Sequence, residues 1–259
     1  MSDDSDRAAR ALEPDPPAPG PQNDALPAEE RERERDRRER LVASWDANAA
    51  AWTDAVRRRK IASRHRATNG AALEAVLRLR PQRVLDVGCG EGWLARALAA
   101  QGVDVVGFDA SEALVRAAGE GPGTFVRLDY DALQRDPGLL PGPFDVAVCN
   151  FSLLDAEVGG LLRALAARLG PGGRVVVQTL HPLALGAERY ADGWHEETFD
   201  GFGGAFPAPM PWYARTFASW WRALDDAGLV LERLEEPRME GVAWPVSLLF
   251  TATPRWCRP

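Results

Sequence analysis

The stretch Val84-Leu85-Asp86-Val87-Gly88-Cys89-Gly90-Glu91-Gly92-Trp93-Leu94 decides how the rest of the chain is read. A short apolar run carrying an acid ends at three glycines in alternate positions, and a helix-like pattern follows. That order describes a buried parallel strand, a tight turn whose backbone a ligand can approach, and a helix N-terminus directed at the ligand. Glycine permits positive φ and removes the Cβ that would block the approach. Spacing then separates the ligands. A dinucleotide fingerprint puts its third glycine three residues after the second, where this chain has Trp93. Here Gly92 follows Gly90 by two, and Asp86 precedes Gly88 by two. The alternative is a glycine-rich turn with no ligand, but three glycines in one turn cost backbone entropy on folding, which favours a site.

Outward from this turn, the 259 residues suffice for one α/β domain with extensions. No run of 18 or more apolar residues occurs, and the acidic, Pro-rich start has no secretory h-region. Cys89, Cys149 and Cys257 are odd in number and lack metal-ligand spacing, which fits a reduced cytoplasm. A net charge of −7 disfavours broad contact with nucleic acid. Lys60 is the only lysine, which reads as codon bias.

Residues 1–28, rich in Pro, Asp and Ala without apolar periodicity, are expected to be disordered. From Glu29 to Arg40 six acids and six arginines alternate, as in a solvated helix held by ion pairs. This helix is expected to continue through Leu41, Val42, Trp45 and Trp52, and a further helix over 68–79 completes an N-terminal extension, 29–80. Residues 81–259 then alternate strand and helix. Strands are expected at 83–87, 103–108, 124–128, 144–149 and 174–179, and helices at 92–101, 111–118 and 156–169. The segment 170–173 reads as a helix stop and turn. After an irregular stretch, 181–213, come a helix over 216–227 and two strands, 229–235 and 246–252, close enough in sequence to be antiparallel. The expected class is an α/β doubly wound, mostly parallel sheet.

Further acids stand at strand ends. Asp109 closes the second strand, 21 residues after Gly88, where a carboxylate can accept both ribose hydroxyls of a nucleoside. It can equally sit beside a helix cap at Ser111. Asp129-Tyr130-Asp131 ends the third strand, Asn150-Phe151 the fourth, and His181-Pro182 follows the fifth. Tyr190, Asp192, Trp194, His195, Glu196 and Glu197 form a mixed aromatic and charged loop suited to recognition. Arg57 to Lys60, Arg64 and Arg66 make a basic cluster, more often an exposed face than a site.

The acid-x-Gly-x-Gly-x-Gly arrangement resembles the first motif of class I S-adenosylmethionine-dependent methyltransferases of the small-molecule, ubiquinone-biosynthesis-like type. The resemblance covers about residues 45–253 and rests on Asp86, Gly88, Gly90, Gly92 and Asp109, then on Asp129, Asn150 and the order of elements. It implies a seven-stranded Rossmann-like sheet with the last-placed strand antiparallel, and S-adenosylmethionine as cofactor. On this resemblance Asp86 approaches the methionine amine, and backbone groups of Gly88, Gly90 and Asn150 complete that end. Asp109 takes the ribose, Asp129 and Tyr130 meet the adenine, and Asn150 and Phe151 border the substrate cavity. Arg64, near Thr68 and Asn69, is placed to meet the methionine carboxylate, because arginine binds carboxylates bidentately. The Asn-Pro-Pro-Tyr signature of amino-group methylation is absent, and no metal-ligand cluster is evident.

The expected function is methyl transfer to an O, N or C nucleophile of a small acceptor. His181, mostly neutral at pH 7, is the first choice as general base and Glu196 the second; the alternative for His181 is a structural role beside Pro182. Tyr190, Trp194, His195 and Tyr213 are expected to line the substrate, although His195 taken alone reads as solvent-facing. One alternative is RNA or tRNA methylation docked on Arg57–Arg66. Another is a non-catalytic sensor or assembly subunit that binds S-adenosylmethionine. No membrane partner is expected, and the sequence is silent on oligomeric state.

Overall fold

In the computed structural model, which describes residues 28–257, β1 (Arg83–Val87) is an interior strand of a seven-stranded sheet. The tail expected up to residue 28 lies, but for its last residue, outside the described residues. β1 pairs in parallel with both β2 (Asp104–Asp109) and β4 (Phe144–Asn150), and β2 pairs with β3 (Thr124–Arg127). On the other side β5 (Leu169–Leu180) is parallel to β4, while β9 (Ser247–Pro254) and β8 (Leu229–Glu235) complete the sheet antiparallel. The order β3-β2-β1-β4-β5-β9-β8 reverses direction between β1 and β4, so a crevice opens at the carboxyl ends of those two strands.

Alternation along the strands sends side chains into two cores. Val84, Val146 and Val148 meet Ala75 and Val76 of α2 (Asn69–Arg78) and Leu94 and Leu98 of α3 (Trp93–Ala99). Leu85, Val87 and Phe108 face the opposite way. There they meet Leu133 of α5 (Tyr130–Arg135), Leu161 and Leu162 of α6 (Gly159–Ala166), and Trp220 and Leu224 of α7 (Phe217–Asp226). α4 (Glu112–Ala118) follows β2. Asp86 shares the face of Val84, so its carboxylate is buried on the α2–α3 side.

Three features depart from expectation, the first being α5, where no helix was expected. The turn at 170–173 lies inside β5: the β4–β5 ladder pairs Phe144 with Leu169 and resumes at Val146 with Arg174. The stretch read as irregular contains an antiparallel hairpin, β6 (Gly193–Glu197) and β7 (Met210–Ala214).

α1 (Ala28–Arg57) runs as one 30-residue helix and packs on both β7 and α4. Leu41 and Trp45 of α1 join Leu154, Phe199, Met210 and Trp212 in a third apolar cluster. Asn48 fastens the helix to the connection before β7, donating to the carbonyl of Ala208 at 2.7 Å and accepting its amide hydrogen at 3.2 Å. α1 and the hairpin therefore form one cap. No described helix is long and apolar enough to cross a membrane.

Candidate functional site

The turn after β1 is stitched to the end of β2. Cys89 donates its amide to the carbonyl of Phe108 at 3.0 Å, and Gly90 donates to Asp109 Oδ2 at 3.0 Å. Gly88 and Gly90 have φ of 66° and 55°, which the turn could not hold with β-carbons at little cost. At Gly92 a Cβ would meet the backbone and side chain of Ala118 at 3.0–3.1 Å, so that glycine serves the close approach of α4. The other oxygen of Asp109 accepts the Ser111 amide at 2.9 Å, and Ser111 caps α4. Asp109 thus faces the turn and also orders the helix start beside Ser111. Burial raises its pKa, and the Ser111 and Gly90 amides pull it back.

Beside this turn several buried polar atoms have no partner. Asp86 Oδ2 is one; Asn150 Oδ1 and Ser152 Oγ, at and beyond the end of β4, are two more. Asp86 pairs in register with Val148, two residues before Asn150, so these atoms belong to adjacent strand ends. Burial, with the Asp109 and Glu91 carboxylates nearby, pushes Asp86 up to about 7 against the pull of Arg64. An acceptor-rich crevice of this kind suits a cation.

Arg64 supplies the opposite polarity. It opens a π-helical turn, Arg64–Thr68, ahead of α2, a distortion common at functional sites. Its guanidinium lies 5.2 Å from the ring centroids of both Trp52 and Trp93, and Nε donates to Asn69 Oδ1 at 3.3 Å. Nη2 is buried without a partner, and Arg64 makes no ion pair within 4.0 Å among the described residues. Burial lowers its pKa to about 10, opposed by Glu91 and Asp86. A buried, unpaired guanidinium calls for a carboxylate.

Glu91, buried within the turn, is held by Arg96 at 2.5 Å and by Arg57 at 3.1 Å. Arg57 also binds Glu120 and the carbonyl of Ala117, both at 2.8 Å. Arg58 and Lys60 share Asp54. The basic cluster is therefore dispersed: Arg57, Arg58 and Lys60 pair with acids, Arg64 points inward, and Arg59 and Arg66 stand exposed. A surface cavity of about 410 Å³ beside Arg57, Trp93, Arg96 and Glu120 lies next to these pairs, with both arginines already committed.

At the third strand's end Asp129 caps α5, accepting the Ala132 amide at 2.6 Å, and is exposed. Tyr130 turns inward instead, packs edge-on against Phe108 at 5.9 Å, and donates its hydroxyl to the carbonyl of Ser152 at 3.1 Å. Phe151 adopts φ of 54°, rare for a bulky residue, with its amide donated to the carbonyl of Gln178 at 2.7 Å.

The surroundings of the two expected catalytic residues differ from what a proton-transfer pair needs. His181 stands at the carboxyl end of β5 and is buried, but Nδ1 accepts the Leu183 amide at 3.2 Å. That fixes the Nε2–H tautomer, which donates to Glu236 at 2.9 Å. A general base needs a free lone pair, and this arrangement leaves none. Glu196 lies on the exposed side of the hairpin, 3.5 Å from Arg40.

Tyr190 accepts the Phe217 amide at 3.0 Å, and so helps to start α7. Trp194 and Tyr213 are register partners on one face of the hairpin, where the Trp194 indole donates to Glu34 at 3.1 Å. His195 pairs with Trp212 on the other face, their rings 5.3 Å apart. That second face meets the apolar cluster, so Trp212, with Phe199 and Met210, forms the cap's interior. Sequence reading named Tyr213 and missed Trp212. The alternation Met210, Trp212, Ala214 carried the signal. Trp52, named from sequence only as part of the N-terminal helix, also belongs here: its indole nitrogen would stand 3.7 Å from a Cβ on Gly90.

A family model described as a methyltransferase domain matches residues 55–232. Among curated proteins, the ubiquinone biosynthesis O-methyltransferase of Ralstonia nicotianae is 30% identical over 155 residues, 56% of this chain and 65% of that protein. The protein of the same name from Xylella fastidiosa (strain 9a5c) is 38% identical over 104 residues, 38% of this chain and 42% of that protein. The chain thus spans less than two thirds of the length of these relatives. Among solved structures, an S-adenosylmethionine dependent methyltransferase from Mesorhizobium loti aligns with TM-score 0.54 and 27% identity, covering 71% of this chain and 99% of that one. The CcbJ methyltransferase from Streptomyces caelestis shares the fold, with TM-score 0.53 and 20% identity over 71% of this chain and 88% of that one.

Proposed function

Because the chain belongs to the methyltransferase-domain family, we propose that it binds S-adenosylmethionine at the β1–β4 crevice and methylates a small acceptor beneath the cap. One observation carries this reading. An unpaired buried donor, Arg64 Nη2, and unpaired buried acceptors, Asp86 Oδ2 and Asn150 Oδ1, flank the same glycine turn. An amino-acid end, with its carboxylate and ammonium, complements that set. Asp109, already beside Gly90, has lone pairs left for ribose hydroxyls. When bound, the cofactor supplies a methyl group activated by a sulfonium.

What remains for the chain is alignment and exclusion of water. Arg64, Asp86 and Asp109 fix the donor's two ends, so that an acceptor atom can be brought in line at roughly 3–3.5 Å. The aromatic interior of the cap, with Phe151 at its edge, keeps water from the reacting centre. His181 holds the chain after β5 through Leu183 and Glu236, so we assign it a positioning role and no proton transfer. In domain terms, residues 29–80 act as a cap, 81–259 carry the donor, and 181–213 form the acceptor wall, with Tyr190, Trp194, His195 and Tyr213 on or beside its hairpin. The free cysteines agree with a reducing, cytoplasmic setting.

Calorimetric titration with S-adenosylhomocysteine tests the donor site. Micromolar binding that Arg64→Met weakens is the expected result, and no binding at millimolar ligand would overturn the proposal. Methyl transfer to a panel of small hydroxyl, amine and carbon acceptors separates an enzyme from a binding protein. For RNA methylation the basic cluster leaves only Arg59 and Arg66 exposed without an acid partner among the described residues, against Arg57, Arg58 and Lys60 in ion pairs and Arg64 buried.

A further inference from the structure

Asp129 caps α5 and so fixes Tyr130 as the first residue of that helix. From there the ring reaches over Phe108 to the loop after β4, where the hydroxyl meets the carbonyl of Ser152. The strand order β3-β2-β1-β4 means that this side chain crosses the carboxyl ends of β2 and β1. What it covers is Gly88. A Cβ on Gly88 would stand 2.7 Å from the Tyr130 oxygen and 2.5 Å from Ser152 Cβ. The phenol and Ser152 therefore close on the turn at van der Waals contact, over the same backbone that the proposed donor site uses as its floor.

On the donor-site reading, a ligand laid against Gly88 from this side would need the space that the Tyr130 phenol fills. Two features on the β4 side favour movement there. Phe151 carries the strained positive φ, and its neighbour Ser152 has a buried hydroxyl without a partner. Strain of this kind persists only while its surroundings hold it, and it gathers at switch segments. The Tyr130 side is firmer, anchored by the helix cap and by packing on Phe108.

We propose that the Tyr130 hydroxyl and the Ser152 carbonyl form a latch across the Gly88 turn, which must open before the methyl donor binds. This rests on the donor-site reading above. A latch of this kind lowers apparent affinity by the fraction of molecules that are open. Its single hydrogen bond is worth roughly a 2- to 10-fold bias. Tyr130→Phe keeps the ring and removes the bond.

The test is stopped-flow binding of S-adenosylhomocysteine to the full chain, wild type against Tyr130→Phe, followed by tryptophan fluorescence. The variant is expected to associate roughly 2- to 10-fold faster, with dissociation little changed. A second measurement uses the chain's three tyrosines, labelled with carbon-13 at Cζ. The resonance that disappears in Tyr130→Phe is expected to shift when the wild type is saturated with the ligand. Association in the variant at or below the wild-type rate, or a Tyr130 resonance that ligand leaves in place, would overturn the latch. Failure of both proteins to bind at all would instead remove the donor-site reading, and the latch with it.

Discussion

Asp109 accepts the amide hydrogen of Gly90 at 3.0 Å, so the acid that ends β2 holds the middle glycine of the turn after β1. One carboxylate thereby orders the turn while it faces the crevice.

Replacing that carboxylate separates its two roles. Asp109→Ala is expected to weaken S-adenosylhomocysteine binding by at least ~10-fold and to cost about 1–3 kcal/mol of stability, because two amides lose their acceptor. Asp109→Asn should be nearly as harmful, since its single amide oxygen cannot serve both Gly90 and Ser111. Calorimetry paired with urea melts measures both effects. An Asn variant with wild-type affinity would show that the ligand does not use this group.

Arg64→Met should divide affinity from stability. Loss of a charged hydrogen bond is expected to weaken the donor analogue roughly 10- to 150-fold. Removal of a buried cation that has no ion partner should leave the melting temperature unchanged or raise it. A fall in melting temperature with intact affinity would make Arg64 a purely structural residue.

The pH dependence follows from Asp86. Its native pKa, about 7, lies above the ordinary carboxylate value. Between about pH 4 and pH 7 the folded chain therefore keeps a proton that the unfolded chain has lost, and this contribution to stability declines as pH rises through that window. Donor binding runs the other way. An ammonium prefers the ionised carboxylate, so affinity should rise with pH and level off above about 7. Asp86→Asn is expected to flatten both profiles, measured by melts and by calorimetry in overlapping buffers.

His181→Ala is expected to lower kcat less than ~10-fold while costing about 1–2 kcal/mol of stability, as two hydrogen bonds to Leu183 and Glu236 disappear. A drop of ~100-fold or more in kcat, with stability intact, would restore His181 as the base.

Much of this molecule could be read locally. The strands expected at 83–87 and 229–235 are β1 and β8 to the residue, because each is a short run rich in apolar residues with a turn before it. α5, six residues long, was missed because so short a helix cannot display a 3.6-residue period. The β6–β7 hairpin was missed as well. Its strands are only five residues each and stand far apart in sequence, so the alternation of Met210, Trp212 and Ala214 is too short to stand out from the irregular stretch around it.

The site divides in the same way. Asp86, the glycines and Asp109 are legible because their positions depend on one strand-turn-helix unit and its neighbour. Arg64 was placed by its chemistry, but its tryptophan walls belong to α1 and α3, which sequence spacing does not relate to it. His181 was legible in position, with base and structural roles both open from sequence. Its ring is held between the Leu183 amide, two residues on, and Glu236, 55 residues away, a partner that sequence spacing does not relate to it.

α1 reaches both ends of the site: Arg57 grips Glu91 in the glycine turn, while Glu34 and Asn48 grip the hairpin. Redesign toward new acceptors is constrained by that shared beam. A hairpin transplanted from a relative would arrive without its matching grips and would disturb cofactor affinity as well as selectivity. Residues 34–57 and 193–214 are best exchanged together, as one graft.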